Sequence, residues 1–92
     1  DAVPRRIDIN ELTHALAEVS GVLEIHDLHV WGMSTSEVML TAHLVIAESS
    51  RQSSLKEAQS MLRERFAITH TTLQSEEPPV SQACAQQLRN KV

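Results

Sequence analysis

Alternating apolar and polar residues predict two strands in the middle of the chain. Apolar side chains occupy every second position from Val38 to Ile46, and the positions between them hold Met39, Thr41, His43 and Val45. This period of two is typical of a half-buried strand with one face on the core. The preceding segment, 22–34, is rich in β-branched and apolar residues and predicts a partner strand. The polar turn 34–37 joins the two strands as a hairpin.

Apolar spacing of three and four residues predicts a first helix over about 9–19, where Ile9, Leu12, Leu16 and Val19 share one face. Asp8 is the expected N-cap, and Glu11 three residues later completes a capping box. Gly21 is expected to end the helix as its C′ residue.

A second helix is predicted over about 55–66, followed by a third strand. Leu55, Ala58, Met61, Leu62 and Phe66 follow helical spacing, and Ser54 with Glu57 forms a second capping box. Residues 68–76 then read as a strand. The dipeptide Pro78-Pro79 ends it, because proline cannot donate a hydrogen bond to a strand ladder.

The order helix, strand, strand, helix, strand predicts an α+β domain. It matches a ferredoxin-like αββαβ sandwich that lacks the first strand, with two helices on one face of a small sheet. The second and third strands are expected to run parallel, since a helix connects them. Residues 1–77 are expected to form this domain, and residues 78–92 a polar C-terminal tail.

Composition narrows the function classes for these 92 residues. The net charge is −4 with neutral histidines, and no basic stripe is present, which argues against nucleic acid as a partner. The single cysteine, Cys84, excludes an internal disulfide and favours a reducing cytosolic compartment. No apolar run approaches the roughly 20 residues needed to span a bilayer. Because the chain opens at Asp1 without a methionine, we expect a piece of a larger protein.

Three histidines, His26, His43 and His70, lie on the three predicted strands. Imidazole is the commonest protein ligand for divalent metals such as zinc, so the sequence indicates a metal site. If Thr35 and Ser36 are the central turn residues, His26 becomes a diagonal neighbour of His43, roughly 7–8 Å away at Cα.

The length of the hairpin loop decides which other residue faces His43. With the turn above, Leu28 lies directly opposite His43, whereas a change of one residue places His29 there instead. The sequence favours the two-residue turn, so we prefer His26 over His29 as the partner of His43. Asp27 points away from His26 in a regular strand, but a bulge would bring its carboxylate into the site.

Other candidates have weaker support from the sequence. Glu48 and Glu76 are further candidate carboxylates, and Cys84 is a candidate thiolate in the polar tail. Trp31 is expected to be a core or interface anchor. No nucleophile–base pair or catalytic metal motif is present, so an enzyme is not predicted.

Three phrases of the sequence resemble a known family. They are His26-Asp27-Leu28-His29-Val30-Trp31, Leu40-Thr41-Ala42-His43-Leu44-Val45 and Ile68-Thr69-His70-Thr71-Thr72-Leu73-Gln74. Together they resemble the cytosolic C-terminal domain of the cation diffusion facilitator family, of the cobalt–zinc–cadmium resistance type. The lead-in 3–8 is also similar to the segment that follows the last membrane helix in that family.

The resemblance implies a homodimeric, metallochaperone-like αββαβ domain at the cytoplasmic face of the inner (plasma) membrane. There it would bind Zn²⁺ and regulate a transporter whose transmembrane domain exports zinc and related ions. It implies His26, His43 and His70 as ligands. Thr72 occupies a position where the family often has an acidic residue, and Glu76 or water would replace that ligand. Co²⁺, Cd²⁺, Ni²⁺ and Cu²⁺ suit the same donors.

Two alternatives stay open at this point. The domain could be a metal-independent dimerisation element of the transporter. It could also be a stand-alone metallochaperone, although the sequence has no CxxC motif or Met-rich loop.

Overall fold

The computed structural model describes residues 7–34 and 36–78. The elements in chain order are α1 (Ile9–Ala17), β1 (Val22–Gly32), β2 (Val38–Ile46), a 3₁₀ helix (Glu48–Ser50), α2 (Arg51–Phe66) and β3 (His70–Glu76). This confirms the predicted α+β class and the αββαβ order. Neither α-helix in the described part of the chain has the length and hydropathy needed to cross a bilayer.

The sheet has the order β1-β2-β3, with β1 antiparallel and β3 parallel to β2. Both helices pack on one face, where they enclose a core formed mainly by Leu12, Leu16, Leu40, Leu44, Ile46, Leu62 and Ile68. In the described ranges no helix covers the opposite side of the sheet, which we call the open face. The alternation predicted for β2 is confirmed, because its core-facing positions are buried whereas Thr41 and His43, on the other face, are only partly buried.

Helix α1 begins as predicted and ends earlier. The Asp8 carboxylate accepts hydrogen bonds from the backbone N–H groups of Asn10 and Glu11, at 2.9 and 3.2 Å. The helix ends at Ala17 because the Val19 N–H donates to the Leu16 carbonyl, three residues back. Gly21 has a φ of +89° but lies in the turn beyond the C-cap, so its predicted role as C′ was wrong.

Helix α2 starts at Arg51, four residues before the predicted start, and ends at Phe66 as predicted. Ser54 is not the N-cap. It lies inside the helix, is 1% exposed, and its hydroxyl donates to the Ser20 carbonyl. The 3₁₀ helix Glu48–Ser50 leads directly into α2, so the helix begins before Ser54. The Ser54 hydroxyl does not cap the helix; it helps to pack α2 against the turn between α1 and β1.

The hairpin loop is longer than predicted. Gly32 pairs with Val38, which leaves residues 33–37 as the connection, and the Met33 N–H donates to the Glu37 carbonyl at 2.8 Å. The expected two-residue turn was therefore wrong, and β1 ends at Gly32 rather than near residue 34. The predicted tail lies almost wholly outside the described residues.

Candidate metal site

The open face carries its side chains in rows that run across the three strands. In the order β1, β2, β3, the rows are Glu24, Val45, Glu76; then His26, His43, Gln74; then His29, Thr41, Thr72; and finally Trp31, Met39, His70. All three predicted histidine ligands, together with His29, therefore lie on the face that the helices leave uncovered. They occupy different rows, and this decides which of them can meet.

A β-bulge at Asp27 brings His26 opposite His43. Asp27 and Leu28 together stand against the single residue Ala42, and Asp27 has a left-handed φ of +52°. His26 and His43 are therefore direct cross-strand partners rather than diagonal neighbours, and the expected pairing of Leu28 with His43 was wrong. Directly opposed residues have Cβ atoms about 4.5–5.5 Å apart, close enough for two imidazoles to converge.

Carboxylates surround this pair of histidines. His43 Nδ1 lies 2.8 Å from Glu76 Oε2 and 3.7 Å from Asp27 Oδ2. His26 Nε2 lies 3.0 Å from Glu24 Oε1. The side chains of His26 and His43 are 47% and 36% exposed, so an ion can reach them from solvent. We call His26, His43, Asp27, Glu24 and Glu76 the histidine–carboxylate cluster.

His70 lies apart from this cluster. It pairs with Met39, four residues before His43 on β2, which corresponds to roughly 13 Å along the strand. Its Nε2 atom faces Glu37 Oε1 in the hairpin loop at 3.6 Å. The structure therefore brings His26 and His43 together and does not bring His70 to them within one chain.

The donor chemistry of the cluster fits zinc, but the ligands are not preassembled. Imidazole nitrogens and carboxylate oxygens are both ordinary zinc ligands. However, among the residues that the structure describes, no three His, Cys, Asp or Glu side chains stand in a geometry that could hold a metal ion. Each imidazole is directed at its own carboxylate, so binding would require side-chain rotations.

The remaining predicted residues do not join the histidine–carboxylate cluster in the part of the chain that the structure describes. His29 is exposed and opposite Thr41, on the same face as the cluster. Glu48 is exposed in the 3₁₀ helix, and Cys84 lies outside the described residues. Trp31, expected as a core or interface anchor, is on the open face and 40% exposed.

Two carboxylates beside the histidines were not among the predicted candidates. Glu24 precedes His26 by two residues, and in a strand this spacing places both on one face, so the signal was present. Glu37 reaches His70 from the hairpin loop, which no sequence periodicity could have indicated.

Comparison with known proteins identifies the family. The sequence model described as "Cation efflux protein, cytoplasmic domain" matches residues 4–78. The chain is 36% identical over 89 residues to the metal cation efflux system protein CzcD of Cupriavidus metallidurans, covering 95% of this chain and 28% of that protein. It is 38% identical over 85 residues to a Dictyostelium discoideum protein described as a probable zinc transporter, covering 91% of this chain and 16% of that protein.

A solved structure agrees with these sequence matches. The metal-bound C-terminal domain of the Cupriavidus metallidurans CzcD transporter superposes with a TM-score of 0.71 at 33% identity, covering 76% of this chain and 99% of that one. The fold and the sequence thus lead to the same group of proteins, which the three phrases had suggested. The chain belongs to the family of cytoplasmic domains of cation efflux proteins.

Proposed function

We propose that this chain is the regulatory domain of a divalent-cation efflux transporter, and that it binds zinc through the histidine–carboxylate cluster. His26 and His43 supply imidazole nitrogens, and Asp27 and Glu76 supply carboxylate oxygens. His70 lies two rows away and stays outside this minimal set. Cobalt, cadmium, nickel and copper suit the same donors, so the donor set does not select one of them.

The observation that carries the proposal is the direct pairing of His26 with His43 on the open face. Glu76 already contacts His43 at 2.8 Å, and Asp27 stands 3.7 Å from the same nitrogen. A cation that enters between them replaces the imidazole–carboxylate contacts with stronger bonds to a full double charge. The ligands need side-chain rotations to converge, and the partial exposure of both imidazoles leaves room for them to turn.

Similarity to metal-handling proteins supports the same proposal. The Cupriavidus metallidurans domain of the same fold was solved with metal bound, and that protein is described as a cation efflux system protein. The chain spans less than a third of the length of these relatives. The transmembrane part, the exported ion and the position at the cytoplasmic face of the inner membrane are therefore proposed by similarity.

Regulation follows from electrostatics in this proposal. Each chain carries a net charge of −4, so two copies repel one another. Zinc bound at the cluster lowers this repulsion and favours a closer homodimer. A ligand shifts a conformational equilibrium only by its differential affinity for the two states. Tighter binding of zinc by the close dimer would therefore bias the transporter toward its active form.

Titration calorimetry with zinc tests the binding site. We expect the double variant His26→Ala/His43→Ala to lose at least about tenfold in affinity relative to the wild type. His14→Ala is the matched control, because His14 is a 75%-exposed imidazole on α1, away from the open face. Equal affinities for the double variant and the wild type would refute zinc binding at this cluster.

Two observations favour a second function, that of a metal-independent dimerisation domain. No three ligands are preassembled in the described residues, and Leu23 and Met33 are more than half exposed, at 58% and 53%. Such apolar side chains suit an interface that needs no ion. Analytical ultracentrifugation with chelator and with zinc separates the two functions. A dimer of unchanged affinity under both conditions would support this second one.

A further inference from the structure

Asp27 is one of two non-glycine residues in the described ranges with a positive φ, the other being Ala67 at +58°. Left-handed backbone is tolerated by glycine, asparagine and aspartate and is strained for most other residues, most of all β-branched ones. At Asp27 this conformation coincides with the bulge in β1. The bulge thus places at residue 27 a backbone conformation that aspartate tolerates better than most residues.

The bulge determines which face His26 occupies. From Gly32 back to His29, β1 pairs regularly with β2, and Trp31 faces Met39 while His29 faces Thr41. If this pairing continued without interruption, residue 27 would stand opposite His43, and His26 would stand opposite Leu44. Leu44 is fully buried on the helix-covered face. A regular strand would thus turn His26 toward the core and away from His43.

We propose that Asp27 is a positioning residue for the zinc site, acting first through its backbone and second through its carboxylate. Its left-handed conformation holds the extra residue of the bulge, which places the two imidazoles on one face. Its Oδ2 atom then stands 3.7 Å from His43 Nδ1. This inference rests on the proposed function, that zinc binds between His26 and His43.

Four substitutions separate the two contributions. Asp27→Asn and Asp27→Gly remove the charge and keep a residue that accepts positive φ. Asp27→Val removes the charge and disfavours positive φ, and Asp27→Ala is a milder version of the same change. Ala67→Val is the matched control, because it places the same strain at the C-cap of α2.

Two measurements are made on each variant. The first is the set of cross-strand nuclear Overhauser contacts between the backbones of His26 and His43, recorded without metal. The second is the zinc affinity from calorimetry. We expect Asp27→Val to lose the contacts and at least about tenfold in zinc affinity. Asp27→Gly and Asp27→Asn should keep the contacts and lose less affinity, and Ala67→Val should keep both.

The outcomes distinguish this inference from the proposed function. If the wild type binds zinc and Asp27→Val keeps the backbone contacts and the affinity, the inference is overturned and the proposed function stands. If the wild type binds no zinc, the proposed function fails, and with it the role of Asp27 at a metal site. The metal-free contacts would still show whether Asp27 sets the register. If Asp27→Val does not fold, the comparison of Asp27→Ala with Asp27→Gly decides the question in the same way.

Discussion

The two faces of the sheet differ in what they contribute to the molecule. On the helix-covered face, Leu40 and Leu44 of β2 are fully buried against both helices. On the open face, the same strand presents Thr41 and His43, which are partly exposed. Because strand side chains alternate between faces, one strand supplies both the packing core and the candidate ligands. The difference predicts that substitutions on the helix-covered face change mainly stability, whereas substitutions on the open face change mainly the proposed ion binding.

The largest effect expected from this contrast is on stability. Leu44→Ala removes a fully buried side chain and should cost about 2–5 kcal/mol in the free energy of unfolding. Leu23→Ala makes the same chemical change on β1, where the side chain is 58% exposed, and should stay within about 0.5 kcal/mol. Urea denaturation of both variants measures the difference. Similar losses would mean that something covers Leu23.

An intermediate effect is expected at the joint between the two helices. Gly21 has a φ of +89°, and a Cβ there would overlap the hydroxyl oxygens of Ser50 and Ser54. Gly21→Ala should therefore cost about 1–3 kcal/mol, measured by thermal or urea unfolding. Adding Ser50→Ala should recover only the part that comes from overlap with the Ser50 hydroxyl. Full recovery would show that the backbone conformation carries no cost.

The smallest effect is expected at His70. This side chain is 43% exposed and its Glu37 partner 52%, so His70→Ala should change stability by no more than about 0.5 kcal/mol. The zinc affinity of His70→Ala should stay close to that of the wild type, since His70 lies roughly 13 Å along the sheet from the row of His43. Zinc titration calorimetry of His70→Ala and His43→Ala under the same conditions checks this. A loss equal to that of His43→Ala would place His70 in the site, through a second protomer.

Much of the fold could be predicted because it depends on local patterns. The period of two in β2, the helical spacing after Ile9 and the cap at Asp8 each follow from a few neighbouring residues. The start of α2 could not be predicted in the same way. Ser54 has the right chemistry for a cap, but tertiary packing uses its hydroxyl to bind the Ser20 carbonyl.

The strands that carry the candidate histidines were predictable from the sequence, and the way those histidines pair was less so. His26 and His43 were expected to be neighbours, but the parity of the 33–37 loop and the bulge at Asp27 jointly set their pairing. Neither feature has a periodic signal in the sequence. The contact between Glu76 and His43 depends on the parallel register of β3, which the packing of α2 sets over a long separation in the chain.

Trp31 is the only tryptophan in the chain and stands on the open face, 40% exposed, across from Met39. Its indole is thus the sole strong emitter of the protein, and it sits on the same surface as the candidate ligands. A partner that covers this surface removes water from around the indole ring and shifts its fluorescence emission to shorter wavelength. The domain thereby contains its own optical reporter, which needs no dye or label.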